Sequence, residues 1–459
     1  MTHQFNSTIL REYDIRGIVG DTLMEPDAYA LGRTFAAIAK EEGARRIAVG
    51  RDGRTHSGML EAALVRGLTE GGVDVVLTGM GPSPMLYFAT YYLDVDGGIQ
   101  VTGSHNPSNY NGFKLLLNGR SVFGVEIQKI GQRAASGHWT EGSGGTEEVD
   151  IRGAYVERLL EGFSGKAFRI GWDAGNGAAG PVLDMLIDRL PGEHFAIYTE
   201  VDGTFPNHHP DPTVEKNLEH LKRLVADKNL EFGIAFDGDG DRIGAVDGKG
   251  RVIWGDQLLM ILAEPVLRAN PGATLIADVK ASQKFFDRVS ALGGEPLMWK
   301  TGHSLIKSKM KETNAPLAGE MSGHIFFKHR WYGFDDALYA AVRLIEAVSE
   351  SGRSLTELMD AMPKTTATPE MRFTVDESRK FAIIDEVRDR LAVTGATVDG
   401  TDGVRVSTND GWWLLRASNT QDVLVARAEA EDSAGLERLI AQIDQQLEQS
   451  GVTRSESAH

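Results

Sequence analysis

The chain has 459 residues, of which 41% are apolar and 25% are charged, and it contains no cysteine. This composition is ordinary for globular domains, and the length exceeds one typical domain, so three or four domains are expected. The missing cysteines exclude disulfides, thiolate metal sites and thiol nucleophiles. A formal charge of −17, from 48 basic and 65 acidic side chains, disfavours nonspecific binding to nucleic acid or to anionic membranes.

No apolar run approaches the roughly 20 residues of a membrane-spanning helix. The first residues lack the basic region and apolar core of a secretory signal, which favours a cytoplasmic location. We therefore expect neither a nucleic-acid partner nor a membrane partner. An anionic substrate would have to be attracted by a few basic groups focused in one cleft. The candidates for these groups are Arg16, Lys114, Arg242, Lys280 and Arg416.

The N-terminal part of the chain alternates helical and strand patterns. Ala28, Leu31 and Phe35 share one helical face, and residues 47–49 then read as a buried strand. The same alternation continues to residue 101. It predicts an α/β layer with a mostly parallel sheet, whose functional loops lie at the carboxyl ends of strands.

Residues 102–114 follow a strand pattern and are rich in Gly, Asn and Pro, which favour turns. They are predicted to place Ser104 on an exposed loop as a candidate nucleophile. His105 and Lys114 can be cationic, so the loop could hold a dianionic group beside the hydroxyl. Acyl transfer is disfavoured, because Asn106 stands where a nucleophile elbow needs glycine.

Residues 175–180 read Gly-Asn-Gly-Ala-Ala-Gly, the G-x-G-x-x-G pattern of dinucleotide-binding folds. A predicted strand precedes them, and Glu200 stands near the end of the next strand, so a nicotinamide dehydrogenase is an alternative hypothesis. Pro181 weighs against it, because it removes a backbone donor after the third glycine. The favoured interpretation is that the glycines allow close packing of a strand against a helix.

Three aspartates alternate with glycines in the segment Asp237-Gly238-Asp239-Gly240-Asp241-Arg242. Such a loop can fold its carboxylate oxygens around one hard cation, and Mg²⁺ is the predicted ion. An EF-hand is excluded by spacing, because Arg242 and Gly248 stand where that loop needs glycine and glutamate. Arg242 could hold a phosphate or an incoming hydroxyl.

Three further polar segments interrupt the strand and helix patterns. Residues 301–304 read as a helix start with a Thr or Ser cap. Residues 319–324 combine a carboxylate, a hydroxyl and an imidazole, which suit sugar hydroxyls. Residues 416–420 combine an arginine with hydroxyls and an amide, which suit a phosphate. Each of these segments, taken alone, could equally be an ordinary cap or turn.

Taken together, the motifs resemble one family. Val-Thr-Gly-Ser-His-Asn-Pro, followed by Tyr-Asn-Gly-Phe-Lys, is similar to the active-site loop of the α-D-phosphohexomutases, most closely of their bacterial phosphomannomutase/phosphoglucomutase branch. The metal, sugar and phosphate loops of that family follow in the same order. Met321 fits the dual-specificity branch, whereas glucosamine-phosphate mutases usually have glutamine there.

The resemblance implies a reversible transfer of phosphoryl between the 1- and 6-positions of glucose and mannose phosphates. It implies a phosphoserine, a hexose 1,6-bisphosphate intermediate, and Mg²⁺ with glucose or mannose 1,6-bisphosphate as cofactors. The implied catalytic residues are Ser104, His105, Lys114, Arg16 and Arg242. The implied metal ligands are Ser104, Asp237, Asp239 and Asp241. The implied substrate contacts are Tyr13, Lys280, His303, Glu320, Ser322, His324, Arg416, Ser418, Asn419 and Thr420.

We predict three consecutive α/β domains with mixed, mostly parallel sheets and a C-terminal α+β domain, arranged around a central cleft. The predicted domains are residues 1–150, 151–253, 254–365 and 366–459, the first boundary falling in the Gly-, Ser- and Glu-rich segment 132–150. A monomer is expected, with a dimer as the alternative. The sequence leaves open the sugar preference, the resting phosphorylation of Ser104, the pathway served, and the choice of Lys114, His303 or Arg16 as general base.

Overall fold

The computed structural model describes residues 2–419 and 421–453. Their strands form four sheets that follow one another along the chain. The first three sheets are mixed and carry helices, and the strands of the fourth pair only antiparallel. The predicted series of three α/β units and one α+β unit is confirmed. In the part of the chain described, no helix is long and apolar enough to cross a membrane.

The first unit has the strand order β1-β5-β4-β2-β3-β7, with β6 paired to β5. The α1 helix begins with Pro at its first turn, and Asp27 accepts a backbone hydrogen bond there, which favours a helix start. The polar segment 132–150 contains the end of α4 and the edge strand β7. The elements are β1 Ile15–Ile18, α1 Glu25–Glu41, β2 Arg46–Arg51, α2 Ser57–Glu70, β3 Asp74–Met80, α3 Ser83–Tyr92, β4 Gly97–Val101, β5 Tyr110–Leu117, β6 Arg120–Ser121, α4 Val125–Ser136 and β7 Thr146–Glu148.

The second unit has the strand order β12-β11-β10-β8-β9. Strands β10 and β11 are buried along their whole length and β8 over its last four residues, which explains their mostly apolar sequence. The elements are α5 Arg152–Leu159, β8 Phe168–Asp173, α6 Gly180–Ile187, β9 Gly192–Ile197, α7 Glu219–Lys228, β10 Phe232–Phe236, β11 Ile243–Asp247 and β12 Val252–Ile253.

The third unit has the strand order β14-β13-β15-β16-β17. The N-terminus of α11 is capped by Asp336, whose side chain accepts a hydrogen bond from the backbone amide of Tyr339. The elements are α8 Gly255–Ala269, β13 Thr274–Asp278, α9 Gln283–Ala291, β14 Glu295–Trp299, α10 His303–Thr313, β15 Leu317–Gly319, β16 Ile325–Phe327, β17 Phe334–Asp335, α11 Ala337–Ser351 and α12 Leu355–Asp360.

The fourth unit has the strand order β18-β23-β22-β21-β20, with β19 also paired to β23. Helices α13 and α14 bury an apolar face against this sheet. The elements are β18 Thr366–Ala367, β19 Met371–Thr374, α13 Lys380–Ala392, β20 Thr397–Asp399, β21 Val404–Thr408, β22 Gly411–Ala417, β23 Val423–Ala430 and α14 Ser433–Gln449.

The four predicted functional loops share one structural position. Each connects two antiparallel strands of its sheet: β4 to β5, β10 to β11, β15 to β16, and β22 to β23. In the first three sheets this hairpin joins the last parallel strand to the first antiparallel one. The hairpins therefore leave the carboxyl ends of buried strands, where the sequence predicted functional loops.

The hairpin geometry corrects two predictions about where side chains lie. Lys114 lies within strand β5, because the loop ends before Tyr110 and the chain returns along β4. Arg416 likewise lies within β22, which continues to Ala417. In both cases the apolar residues between the polar ones pair with the neighbouring strand. The strands therefore extend further toward the loops than the turn-forming residues in the sequence suggest.

The cores of the units are connected to different extents. One apolar cluster contains residues of α3 in the first unit, β8 in the second and α8 in the third, among them Phe88, Trp172 and Leu259. The described core of the fourth unit draws only on residues 371–447. A small cluster of Val279, Trp412 and Leu414 joins that unit to the third.

Candidate active site

The four hairpin loops meet in one network of contacts. Ser104 in the first loop contacts Asp237 in the second, and Arg242 in the second contacts His324 in the third. The fourth loop joins through Asn419, whose side-chain amide donates to the hydroxyl of Tyr13 at 2.7 Å. The four loops therefore lie together at one place, which corresponds to the predicted central cleft.

Ser104 lies in the first loop with a left-handed backbone conformation, φ +48°. Its hydroxyl lies 3.1 Å from Oδ2 of Asp237 and 3.2 Å from Nδ1 of His105. The expectation of an exposed loop was wrong for Ser104, which is only 3% exposed, because the second unit covers it. A side chain on Gly238 would collide with the Ser104 carbonyl oxygen at 2.5 Å, so glycine is required at that contact.

Two cations lie close to the Ser104 loop. Lys114 donates to Oδ2 of Asp239 at 2.6 Å and also to Asp241. Burial disfavours the charged ammonium, but the two carboxylates outweigh it and raise the pKa of Lys114 well above its usual value. Arg16 donates to the Gly103 carbonyl at 3.2 Å. Both side chains are therefore charged.

His105, a side chain that the sequence indicated can be cationic, also lies beside Ser104. Burial and the nearby positive charges of Arg242 and Arg16 instead lower the pKa of His105 well below its usual value. These surroundings therefore favour the neutral imidazole. The side chain can still accept or donate a hydrogen bond at Ser104.

Asp237, Asp239 and Asp241 form a buried cluster in the second loop. Each offers an oxygen within 4.8 Å of the others, the spacing of ligands around one cation. Within the described part of the chain, one oxygen each of Asp239 and Asp241 has no hydrogen-bond partner. Burial and the neighbouring negative charges raise the pKa of Asp237 well above its usual value. Three hard oxygen donors with free lone pairs fit a divalent cation such as Mg²⁺.

Two histidines lie between the metal loop and the third unit. Nε of Arg242 donates to Nε2 of His324 at 3.0 Å, and Nδ1 of His324 lies 3.0 Å from Asp335. The ring of His303 stacks on His324, with centroids 5.7 Å apart. Burial, followed by the positive charge of Lys307, lowers the pKa of His303 well below its usual value, so this imidazole is neutral.

The predicted sugar loop presents Glu320 and Ser322 next to the start of α10. Oε1 of Glu320 accepts a hydrogen bond from the backbone amide of Gly302, and Oε2 lies 3.3 Å from the hydroxyl of Ser322. The helix start predicted at residues 301–304 is present, but the predicted Thr or Ser cap was wrong, because Gly302 is the N-cap residue. The Thr301 hydroxyl donates instead to Asp278 at 3.0 Å.

The predicted distal phosphate site lies where the fourth unit meets the third. Nε of Arg416 donates to Asp402 at 2.9 Å, and the backbone amide of Thr301 donates to the same carboxylate at 3.0 Å. The Ser418 hydroxyl accepts from the backbone amide of Gln421. Thr420 lies outside the described residues.

Lys280 lies at the same junction and donates to Glu370 at 3.0 Å. Burial opposes ionisation of Glu370, but Lys280 and Arg372 outweigh it and lower the pKa of Glu370 to about 2. Lys280 is 3.9 Å from Asp278. It is therefore shared between the third unit and the segment that leads into the fourth.

The glycine pattern at residues 175–180 packs against other backbone rather than opening a crevice. A side chain on Gly177 would lie 2.9 Å from the Gly238 carbonyl oxygen, and one on Gly180 would lie 1.9 Å from that of Thr199. The amide of Ala178 donates to Gly238 at 3.0 Å. The glycines thus hold the metal loop against β8 and α6, as the packing interpretation expected.

Several acidic and basic residues of the site were not identified from the sequence. Asp52 and Arg54 hold the Ser104 loop, Asp335 contacts His324, and Asp402 contacts Arg416. Burial raises the pKa of Asp278 to about 6. A signal was present for Asp52, Arg54 and Asp278, because these polar residues lie at or just after the ends of the buried strands β2 and β13. Polar residues after buried strands are so common that the pattern could not identify the residue that each one contacts.

Four family profiles match consecutive parts of the chain. Residues 7–141, 154–250 and 254–366 match domains I, II and III of phosphoglucomutase/phosphomannomutase, each described as alpha/beta/alpha, and residues 370–446 match its C-terminal domain. The phosphomannomutase/phosphoglucomutase of Pseudomonas aeruginosa is 45% identical over 434 residues, covering 94% of both chains.

Two further relatives agree with these matches. The phosphoglucomutase of Neisseria gonorrhoeae is 44% identical over 436 residues, covering 94% of this chain and 95% of its own. The crystal structure of a phosphoglucomutase/phosphomannomutase family protein from Burkholderia thailandensis superposes with a TM-score of 0.92 at 42% identity, covering 99% of both chains. The similarity therefore extends over all four units.

Proposed function

The chain belongs to the phosphoglucomutase/phosphomannomutase family, and we propose that it interconverts the 1- and 6-phosphates of glucose and of mannose. The observation that carries this proposal is the Ser104 hydroxyl, buried 3.1 Å from a carboxylate of the aspartate cluster and facing the loops of the other units. A phosphoryl acceptor, a metal site and sugar-binding groups thus share one cleft.

In the proposed reaction Ser104 carries the phosphoryl group. The free sugar hydroxyl attacks this phosphorus and gives its proton to a base, while the bond from phosphorus to Oγ of Ser104 breaks and Oγ takes up a proton. The product is a hexose 1,6-bisphosphate. After the bisphosphate reverses its orientation, Oγ of Ser104 loses its proton and attacks the other phosphorus, and the released sugar oxygen takes up a proton. Atoms and charge balance over the two transfers.

The residues around Ser104 suit the charge that this transfer develops. Lys114 and Arg16 are charged and buried beside the loop, where the low dielectric strengthens their attraction for phosphoryl oxygens. Asp237, Asp239 and Asp241 would hold Mg²⁺, with the phosphate of Ser104 as a further ligand. When bound, the ion supplies positive charge that polarises the phosphoryl group.

The proton acceptor is best sought among the histidines. Lys114 has a raised pKa and two carboxylate partners, and the guanidinium of Arg16 does not deprotonate in proteins. His303 is neutral, and its ring stacks on His324 within the cleft. Of the three bases that the sequence left open, His303 alone is in the form that can take a proton.

Two phosphate sites are needed, since the bisphosphate carries one group at each end. We place the distal one at Arg416, Ser418 and Asn419, with Lys280 nearby. A guanidinium with adjacent hydroxyl and amide donors binds phosphate through several charge-assisted hydrogen bonds. Glu320 and Ser322 lie on the loop between the two phosphate sites, where their oxygens can pair with sugar hydroxyls.

The proposal is tested by phosphorus NMR of the protein with Mg²⁺, a trace of glucose 1,6-bisphosphate, and equimolar glucose, mannose and glucosamine 1-phosphates. We expect the glucose and mannose compounds to become 6-phosphates. Ser104→Ala should abolish the conversion, and Ser108→Ala, an exposed hydroxyl of the same loop, should retain it. Conversion of the glucosamine compound alone would assign a different sugar, and no conversion by the unaltered protein would refute the mutase.

Several features stay predictions from the sequence. These are the boundaries near residues 150, 253 and 365, the activating bisphosphate, the cytoplasmic location and the monomeric state. The roles assigned to individual site residues are also predictions. Their common location in one cleft supports these roles.

A further inference from the structure

Arg54 is a buried arginine outside the set of residues that contact substrate in the proposed reaction. It is 2% exposed and lies after strand β2, beneath the Ser104 loop. Its Nη2 donates to the carbonyl oxygens of Ser104 and Asn106, both at 2.7 Å. Its Nη1 donates to those of Pro107 at 2.5 Å and Tyr110 at 3.1 Å. One guanidinium thus binds three carbonyls of the Ser104 loop and the carbonyl of the first residue of β5.

Asp52 completes this arrangement from the other side. Its Oδ2 accepts from Nε of Arg54 at 3.2 Å, from the Thr102 hydroxyl at 2.8 Å and from the Gly103 amide at 3.1 Å. All five N–H donors of the guanidinium therefore have an acceptor. A side chain on Gly103 would lie 2.5 Å from Cζ of Arg54, so the loop backbone lies directly against the guanidinium.

The second unit covers the outer face of Arg54. The ring of Phe205 lies over the guanidinium, with Cζ 5.1 Å from the ring centroid. A side chain on Gly203 would lie 2.5 Å from Cα of Arg54. The same segment continues to Pro210, which packs against Gly238 of the metal loop. Arg54 is thus held between the loop of the nucleophile and the unit that carries the aspartates.

We propose that Arg54, oriented by Asp52, is a positioning residue that fixes Ser104 relative to Asp237. It touches no reacting atom. Its role follows from the left-handed conformation of Ser104, which a non-glycine residue adopts only where surrounding contacts impose it. By binding the Ser104 carbonyl and three later carbonyls, the guanidinium sets the direction in which the hydroxyl points. This inference rests on the proposed role of Ser104 as phosphoryl carrier.

The test is Arg54→Lys, because lysine keeps the charge but offers three donors from one nitrogen and cannot bridge four carbonyls. We expect kcat to fall about 100-fold, as for a misplaced reacting group. KM for glucose 1-phosphate should change less than about threefold, because the substrate contacts remain. The phosphoserine resonance of Ser104 in the phosphorus NMR spectrum should shift or broaden. Asp52→Asn should act in the same direction.

The matched control is Arg33→Lys, a second buried arginine of the first unit, which instead contacts Thr140 and Glu141. It should cost stability but leave kcat and the phosphoserine resonance unchanged. If Arg54→Lys behaves like Arg33→Lys, the positioning role is refuted. If Arg54→Lys does not fold, Asp52→Asn and Phe205→Leu decide the question by the same two measurements. If the unaltered protein transfers no phosphoryl, the mutase proposal fails instead.

Discussion

The two ends of the active site are attached to the molecule in different ways. At the nucleophile end, helix α3 of the first unit lies in one apolar cluster with residues of the second and third units, and the hydroxyl of Ser83 in the first unit donates to Asp239 in the second. At the distal end, the fourth unit has its own core and meets the third through Val279, Trp412 and Leu414 together with polar contacts. The reacting groups thus lie in one packed body formed by the first three units. The fourth unit, which carries the distal phosphate site, is attached to that body.

This difference suggests which part moves. Ser104 is 3% exposed and Arg416 is 5% exposed, so a hexose bisphosphate cannot reach or leave both ends without an opening. Separating the first three units would break a shared core, whereas releasing the fourth exposes a small apolar contact and some ion pairs. We expect the fourth unit to open about the segment near residues 363–369.

We expect the largest effect on activity from a substitution at the nucleophile end. Asp237→Asn removes the carboxylate beside Ser104 and weakens the site for a divalent cation, so kcat should fall at least about 100-fold. Mg²⁺ binding, measured by calorimetry, should weaken in parallel. Asp227→Asn, an exposed aspartate of the same unit, is the control. Unchanged Mg²⁺ affinity in Asp237→Asn would contradict the metal assignment.

A smaller effect is expected at the distal end. Arg416→Lys keeps the charge but loses the planar set of donors, and kcat/KM for glucose 1-phosphate should fall about 10- to 100-fold. Most of the loss should be in KM, because the group acts on a phosphate that does not react. Arg388→Lys, on the exposed face of α13, should have no effect. A loss confined to kcat would place Arg416 at the reacting end.

The contact between the fourth unit and the third should weaken in acid. The pKa of Glu370 is about 2, below its usual 4.5, so its stabilisation is complete above pH 4.5 and disappears as the pH falls toward 2. Glu370→Gln should cost about 1 to 3 kcal/mol in the unfolding of the fourth unit at pH 7.

Limited proteolysis near residues 363–369 gives an independent measurement of this contact. Cleavage should be faster in Glu370→Gln at pH 7 and should increase in the unaltered protein below pH 4.5. Glu377→Gln removes an exposed carboxylate that pairs with the buried Lys380 inside the fourth unit, and it should leave the cleavage rate unchanged. Equal cleavage of all three proteins would show that Glu370 does not hold the unit in place.

We expect the opposite pH dependence of stability, and the smallest effect, at Asp336, which lies in the body formed by the first three units. Burial raises the pKa of Asp336 to about 7, so its protonated form is favoured in the folded state, and this stabilisation is lost as the pH rises from about 3.8 through 7. Between pH 5.5 and 7 the unaltered protein should lose roughly 1 kcal/mol more than Asp336→Asn in urea unfolding. The exposed Asp184→Asn should follow the unaltered protein.

Much of the site could be predicted because its loops are marked by local chemistry. Gly, Asn and Pro after an apolar strand determine where the chain turns, whatever the rest of the fold does. Alternating aspartates likewise indicate a cation site by their spacing alone. The predicted series of units followed from the alternation of helix and strand patterns, and the family match confirms it.

Other features depended on partners far along the chain. Thr301 was expected to cap a helix but bonds to Asp278, because the end of β13 lies beside the start of α10. The lowered pKa of His105 could not be predicted either, because it depends on burial and on cations that other units supply. Propensity and spacing describe a residue's own segment and do not report burial by another one.

The amino-acid sequence by itself determined the loops, their order and the chemistry each can offer, since turn formation and ligand type are properties of short segments. Only the tertiary structure decided how those loops face one another. The burial of Ser104, the four carbonyl acceptors around Arg54 and the weaker attachment of the fourth unit arise from contacts between residues tens to hundreds of positions apart. Such contacts form only when the sheets pack. The low dielectric of the buried region between the sheets then shifts the pKa values of the side chains there.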